Sequence, residues 1–175
     1  MDRVGPKGKE MVILGVDPGS WKAGYGLVAA SRGSLQHLAH GVIICGSSRI
    51  PLPERLGVLY RELTRVMETF RPDVMALEGL FHSKNPHSSL ILGHARGVIL
   101  LAALHGGVEV HEYSPLMVKQ ALTGYGLARK EQVRYMVKAL LGLAQVLPVD
   151  ASDALAAAIC HAHSWSGPRP RAECP

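Results

Sequence analysis

The chain has few cysteines, few aromatic residues and no long uninterrupted apolar run. Cys45, Cys160 and Cys174 are its only cysteines. Their number is odd and no pair has C-x-x-C spacing, which argues against a disulfide framework or a cysteine-built zinc site. A reducing, cytoplasmic setting is the simpler expectation. Cys160, inside an apolar segment, reads as a small core residue. The most apolar stretch, 90–104, is interrupted by His94, Arg96 and Gly97. It predicts a buried helix rather than a membrane span. Residues 1–10 are polar and basic and lack a hydrophobic signal region, so they are expected to be a flexible extension. Residues 164–175, rich in Pro, Gly and Arg, are expected to be a disordered tail. Charge of one sign is not extreme. A net +5 over 175 residues is compatible with a polyanionic partner without requiring one. With 47% apolar and 19% charged residues, the rest, 11–163, is expected to form one domain with a substantial core.

What is present is an α/β pattern. Residues 12–16 are an apolar run suited to a doubly covered strand. Two more strands are expected at 25–30 and 35–44, joined by a turn at 31–34, which makes an antiparallel meander. Leu56, Leu59, Leu63, Val66 or Met67, and Phe70 recur at three- and four-residue steps, with Arg55, Arg61, Glu62, Arg65 and Glu68 assigned to the opposite face. This helix opens at Pro51-Leu52-Pro53 and stops at Pro72. A fourth strand at 74–77 and a long helix to about 105 follow. That helix is apolar nearly all round, and Gly93 and Gly97 would admit a second helix closely. A fifth strand at 108–113 precedes helices at 115–122 and 130–141, and a last helix from about 150 to 163. The order predicts a five-stranded mixed sheet with helices on both faces.

Four acids stand out. Asp17 ends the first apolar run and Glu78 the fourth strand. Parallel pairing of those strands would place both at carboxyl ends, where open α/β sheets bind ligands. Asp17-Pro18-Gly19 is also a good turn sequence by itself. Asp150 and Asp153 share one helix face. Asp150 equally suits an N-cap, and Asp153 a first-turn acid against the helix dipole. Four neighbouring carboxylates repel unless cations lie between them. Oxygen ligation favours Mg²⁺ or Mn²⁺ over zinc. Two such ions about 4 Å apart suit in-line attack on a phosphodiester.

Basic residues fit such a substrate. Lys119 lies in a helical segment, and Arg129 and Lys130 just before a helix, where phosphate binding is favoured. His82 and Lys84 follow Glu78 in a polar loop. Phe81, one of only two Phe, lies in that loop and could stack on an unpaired base or form a small satellite core. An actin-like or sugar-kinase ATPase is a second class, since Asp17-Pro18-Gly19 with Gly24 and Gly26 resembles a phosphate loop. That class needs a second related domain, for which the length is insufficient. A non-catalytic DNA-binding module is a third, and four acids in its groove would oppose DNA.

The segments Ile13-Leu14-Gly15-Val16-Asp17-Pro18-Gly19-Ser20, Tyr25-Gly26, Ala76-Leu77-Glu78, Lys84-Asn85, Leu92-Gly93-His94-Ala95-Arg96-Gly97, Val118-Lys119-Gln120 and Asp150-Ala151-Ser152-Asp153-Ala154-Leu155-Ala156 together resemble the RuvC family of bacterial Holliday-junction resolvases. The resemblance runs from about Met11 to His163. It implies a ribonuclease H-like fold, a homodimer, and Mg²⁺- or Mn²⁺-dependent endonuclease action on four-way DNA junctions beside a branch-migration motor. It makes Asp17, Glu78, Asp150 and Asp153 the metal-binding catalytic acids. Lys119 and Lys130 match lysines used on DNA, and Phe81 the residue that stacks at the opened junction. His82 and Ser83 depart from the pattern. A related nuclease acting on RNA is the nearest alternative.

Overall fold

The structure is a computed structural model and describes residues 10–31, 33–79 and 85–164. The expected extension and tail lie outside these residues, apart from Glu10 and Ser164. Strands β1 (Met11–Asp17), β2 (Lys22–Ser31) and β3 (Ser34–Ile44) form the expected meander. Helix α1 (Leu52–Phe70) leads into β4 (Val74–Glu78), and α2 (Pro86–His105) into β5 (Glu109–Tyr113). Helices α3 (Pro115–Thr123), α4 (Lys130–Leu141) and α5 (Val149–Ser164) complete the chain.

The sheet order is β3-β2-β1-β4-β5. β1 pairs antiparallel with β2 and parallel with β4, and β4 pairs parallel with β5. Because successive strand side chains point to opposite faces, β1 feeds two cores. Ile13 joins Val28, Ala76, Val133 and Leu155 beneath α3, α4 and α5. Leu14 and Val16 join Leu27, Leu59, Met75 and Ile99 beneath α1 and α2.

Three expectations are corrected. Arg55 is not on the solvent face of α1. It is buried, donates from Nη1 to the Ser20 carbonyl and to Ser20 Oγ (3.2 Å each), and stacks 4.2 Å from the Trp21 ring centre. Its place four residues before Leu59 puts it on the buried stripe. α2 is only half a core helix. Ala95, Arg96, Ile99, Ala102 and Ala103 pack inward, while Leu90, Leu100, Leu101 and Leu104 are exposed. By length and composition alone α2 could cross a membrane, but its inward face belongs to the core. Within the single chain a Cβ at Gly93 or Gly97 would meet nothing within 4 Å, so both glycines face open space. The third correction concerns Asp150. α5 begins at Val149, so Asp150 lies within the first turn and is not the cap.

Candidate active site

Two features of the sheet position the acids. The parallel register aligns Val16 with Leu77, so Asp17 and Glu78 leave adjacent strand ends side by side. The second is the close approach of α5. A Cβ at Gly15 would lie 1.9 Å from the Ala154 carbonyl oxygen, and one at Gly24 1.9 Å from that of Asp150. Only glycine allows backbone to rest on backbone there. The alanines of α5 complete the fit: Ala151, Ala154, Ala157 and Ala158 are fully buried. α5 therefore delivers Asp150 and Asp153 to the ends of β1 and β4.

The charges of the four acids act on one another. Burial, then the charges of Asp153, Glu78 and Asp150, push the Asp17 pKa up to about 7, against a smaller opposing pull from Lys130. Burial and the Asp153 charge also raise Glu78, with Lys130 and Lys119 acting the other way. Asp153 is raised mainly by burial, and Lys130 and Arg134 oppose this. Asp150 is paired differently. Its Oδ2 lies 2.7 Å from Lys22 Nζ, and this contact raises the Lys22 pKa.

The structure thus brings together Asp17, Glu78, Asp150 and Asp153, with Lys119 on α3 and Lys130 on α4 close enough to act on them. Lys130 is the first residue of α4 rather than a residue before it. Arg129 precedes it, and its backbone N–H donates to Gln132 Oε1 (2.8 Å). Phe81, His82 and Lys84 lie outside the described residues.

Three neighbours were given no site role from the sequence. Lys22 holds Asp150. Arg134, one turn along α4 from Lys130, acts on Asp153. Arg96 is buried, donates from Nη1 to the Glu78 carbonyl (2.8 Å) and pairs through Nη2 with Glu112 (2.6 Å). It fixes the end of β4 from below. Its spacing of three residues before Ile99 on the buried face of α2 was the available signal.

A mixed sheet in this order, with carboxylates converging where α5 crosses two strand ends, defines a ribonuclease H-like nuclease. The family model described as crossover junction endodeoxyribonuclease RuvC matches residues 13–161. The chain belongs to that family. It is 49% identical over 154 residues to the crossover junction endodeoxyribonuclease RuvC of Citrifermentans bemidjiense, covering 88% of this chain and 93% of the relative. Among solved structures, Thermus thermophilus RuvC superposes with a TM-score of 0.81 at 37% identity, over 88% of this chain and 95% of that one. The T. thermophilus RuvC structure in complex with Holliday junction substrate also gives 0.81, at 35% identity, over 88% and 94%.

Nucleases of this family use divalent metal, and the donor chemistry fits. The donors are carboxylate oxygens, the ligands of hard cations. Burial and mutual repulsion leave Asp17, Glu78 and Asp153 short of positive charge. Among the described residues no three His, Cys, Asp or Glu side chains are gathered as a metal cluster.

Proposed function

We propose that this protein resolves four-way DNA junctions by paired, symmetric nicks in recombination and repair, as a cytoplasmic homodimer. The observation that carries the reading is the register of β1 and β4 beneath α5, which converges four carboxylates in a chain of the RuvC family.

Asp17, Glu78, Asp150 and Asp153 would hold Mg²⁺ or Mn²⁺, two ions per site. Such ions supply an activated water and relief of charge on the leaving oxygen. The chain's own residues do the rest. Gly15 and Gly24 fix the depth of Asp150 and Asp153, and Arg96 fixes the strand end that carries Glu78. Lys119 and Lys130, whose charges act on the acids, and Arg129 beside Lys130 would bind the phosphates of the strand being cut. Phe81 and Lys84 would extend that contact, with Phe81 stacking on an opened base. The products should be 5′-phosphate and 3′-hydroxyl ends that a ligase can seal.

A junction has two-fold symmetry, which a homodimer matches. The exposed side of α2 suits the dimer contact. Leu56, Leu90, Gly93, Gly97 and Leu101 line an apolar groove there. Association with a branch-migration motor completes the proposed setting.

The test compares a synthetic four-way junction with linear duplex and with RNA, in Mg²⁺ and in Mn²⁺, with products mapped to the nucleotide. Symmetric ligatable nicks in the junction are expected, and Asp17→Asn should bind it without cutting. Preferential cutting of RNA would transfer the reading to an RNA nuclease, and normal cutting by Asp17→Asn would remove the acids from the chemistry.

A further inference from the structure

Lys22 opens β2, and its backbone position follows from register. Asp17 pairs with Gly24 across β1 and β2, so Lys22, two residues earlier, extends past the end of β1. Its partner on the other side is Ile44, at the end of β3. From there the side chain reaches the acids, and its Nζ lies 2.7 Å from Asp150 Oδ2. The lysine side chain is 56% exposed and the carboxylate 20%. The ammonium therefore approaches from solvent and can leave toward it.

The carboxylate has less freedom. The carbonyl of Asp150 rests against Gly24 with no room for even a methyl group between them. Any exchange of partner at Asp150 is then a side-chain event, with the helix fixed. The remaining cations of the site are committed elsewhere: Lys130 acts on Asp17, Glu78 and Asp153, Lys119 on Glu78, and Arg134 on Asp153. Among the described residues, Lys22 is the cation paired with Asp150.

We propose that Lys22 is a positioning residue that acts as a tethered competitor for the metal site: its ammonium occupies Asp150 in the DNA-free protein and must release it before that carboxylate can take part in holding a divalent ion. This rests on the metal-site reading above. Its consequence is a metal affinity set lower than the four acids alone would give. Premature loading is opposed, and Asp150 is kept ordered without metal. A lysine suits this role, because a compact ammonium on a flexible stem both satisfies one carboxylate oxygen and departs easily. A solvent-exposed pair is weak, so the competition should change metal affinity about two- to fivefold and no more.

The experiment is Mn²⁺ binding to the full DNA-free chain, read by electron paramagnetic resonance of the free ion, for the wild type, Lys22→Met, Lys22→Arg and Asp150→Asn, and for Lys22→Met combined with Asp150→Asn. Lys22→Met should bind Mn²⁺ about two- to fivefold tighter, and Lys22→Arg should stay near the wild type. In the Asp150→Asn background Lys22→Met should change nothing, because the contact is already gone. The Mg²⁺ concentration for half-maximal junction cutting should fall in parallel in Lys22→Met. Unchanged Mn²⁺ affinity in Lys22→Met, with a weaker grip on the junction, would make Lys22 a plain phosphate contact and overturn the inference alone. Absence of any saturable Mn²⁺ site in the wild type would overturn the metal-site reading itself.

Discussion

At one end of α5, Asp150 and Asp153 converge with Asp17 and Glu78. At the other end, His161 is buried with its Nδ1 2.7 Å from the Tyr113 hydroxyl and its ring 4.7 Å from that of His111. Both ends bury titratable groups against the same sheet. At the acid end burial and like charges raise the carboxyl pKa values, and Asp17 reaches about 7. At the histidine end burial, then the charge of His111, lowers His161 to about 4, so the ring stays neutral and shares a hydrogen bond. Burial also pushes Cys160 up to about 11, which keeps its thiol protonated. The histidine end is electrically neutral, although His161 Nε2 is buried with no hydrogen-bond partner among the described residues. The acid end is left short of positive charge, as a site that must bind cations has to be.

The comparison gives opposite signs for removal of a buried group. Asp17→Asn should cut a junction at least about 10³-fold more slowly, since it removes a group placed to act only in the chemistry. The same change should leave the metal-free protein equally stable or more stable, by about 1 kcal/mol, because it relieves repulsion. Single-turnover cleavage and thermal melting in a chelator check both. A loss of stability in Asp17→Asn would mean that the acids do not repel one another in the metal-free protein.

The next effect tests what holds the acid end in place. In Gly24→Ala a methyl group would have to displace the Asp150 carbonyl, and in Gly15→Ala that of Ala154. Each should cost roughly 3 kcal/mol or more, as an overpacked core site. Gly33→Ala is the control within β-turn backbone, since only its positive φ of 79° opposes the change. It should cost about 1 kcal/mol. Urea midpoints for the three variants check the order.

Much of this arrangement is legible in the chain itself. Residues 12–16 read as a central strand because both faces of a covered strand are apolar, and Ile13 and Leu14 do enter separate cores. The side-by-side placement of Asp17 and Glu78 follows from a parallel β1–β4 pair, which a helical crossover demands. The family resemblance then selects among uses of the acids that spacing alone leaves open. What was missed has local causes. Arg55 looked like a surface charge and Arg96 like a break in an apolar stretch, yet each falls on the buried stripe of its helix, and a long side chain there finds backbone carbonyls to satisfy it. The cap assigned to Asp150 failed by one residue of helix boundary, a margin within which helix ends are not encoded sharply. Lys22 could not be found by pattern, because its partner is 128 positions away and the contact depends on how closely α5 sits on glycine.

Acidity separates the two ends again. His161 has a folded pKa near 4 against an ordinary 6.5, so below pH 6.5 the unfolded chain gains the proton first. Stability from this group is intact above pH 6.5, is lost as pH falls toward 4, and levels off below, by about 2 kcal/mol. Asp17 runs the other way. Its folded pKa of about 7 exceeds an ordinary 3.8, so its contribution is greatest below pH 3.8 and is lost as pH rises through 7. Between pH 4 and 7 the two trends oppose. In metal-free Asp17→Asn the histidine trend should be uncovered, and stability should fall more steeply on acidification than in the wild type. Denaturant titrations of both proteins at pH 7 and 4.5 measure the difference. Parallel pH curves would show that the two groups do not carry the charges assigned to them.

The smallest effect probes the one hydrogen bond that holds the His161 ring. Tyr113 lies at the end of β5, in register with Glu78, and its hydroxyl reaches across to α5. Tyr113→Phe keeps the ring and removes one buried hydrogen bond, which leaves His161 Nδ1 without its partner. The cost should be about 1–2 kcal/mol, from the lost bond and a second unsatisfied nitrogen on a ring whose Nε2 is already unpartnered. Junction cutting should be unchanged under conditions where the variant is folded, because the hydroxyl points away from the acids to the far end of α5. A stability loss with normal cutting assigns Tyr113 to the scaffold. A selective loss of cutting with normal stability would instead show that the two ends of α5 are coupled through β5, with the backbone partnership of Tyr113 and Glu78 as the connection.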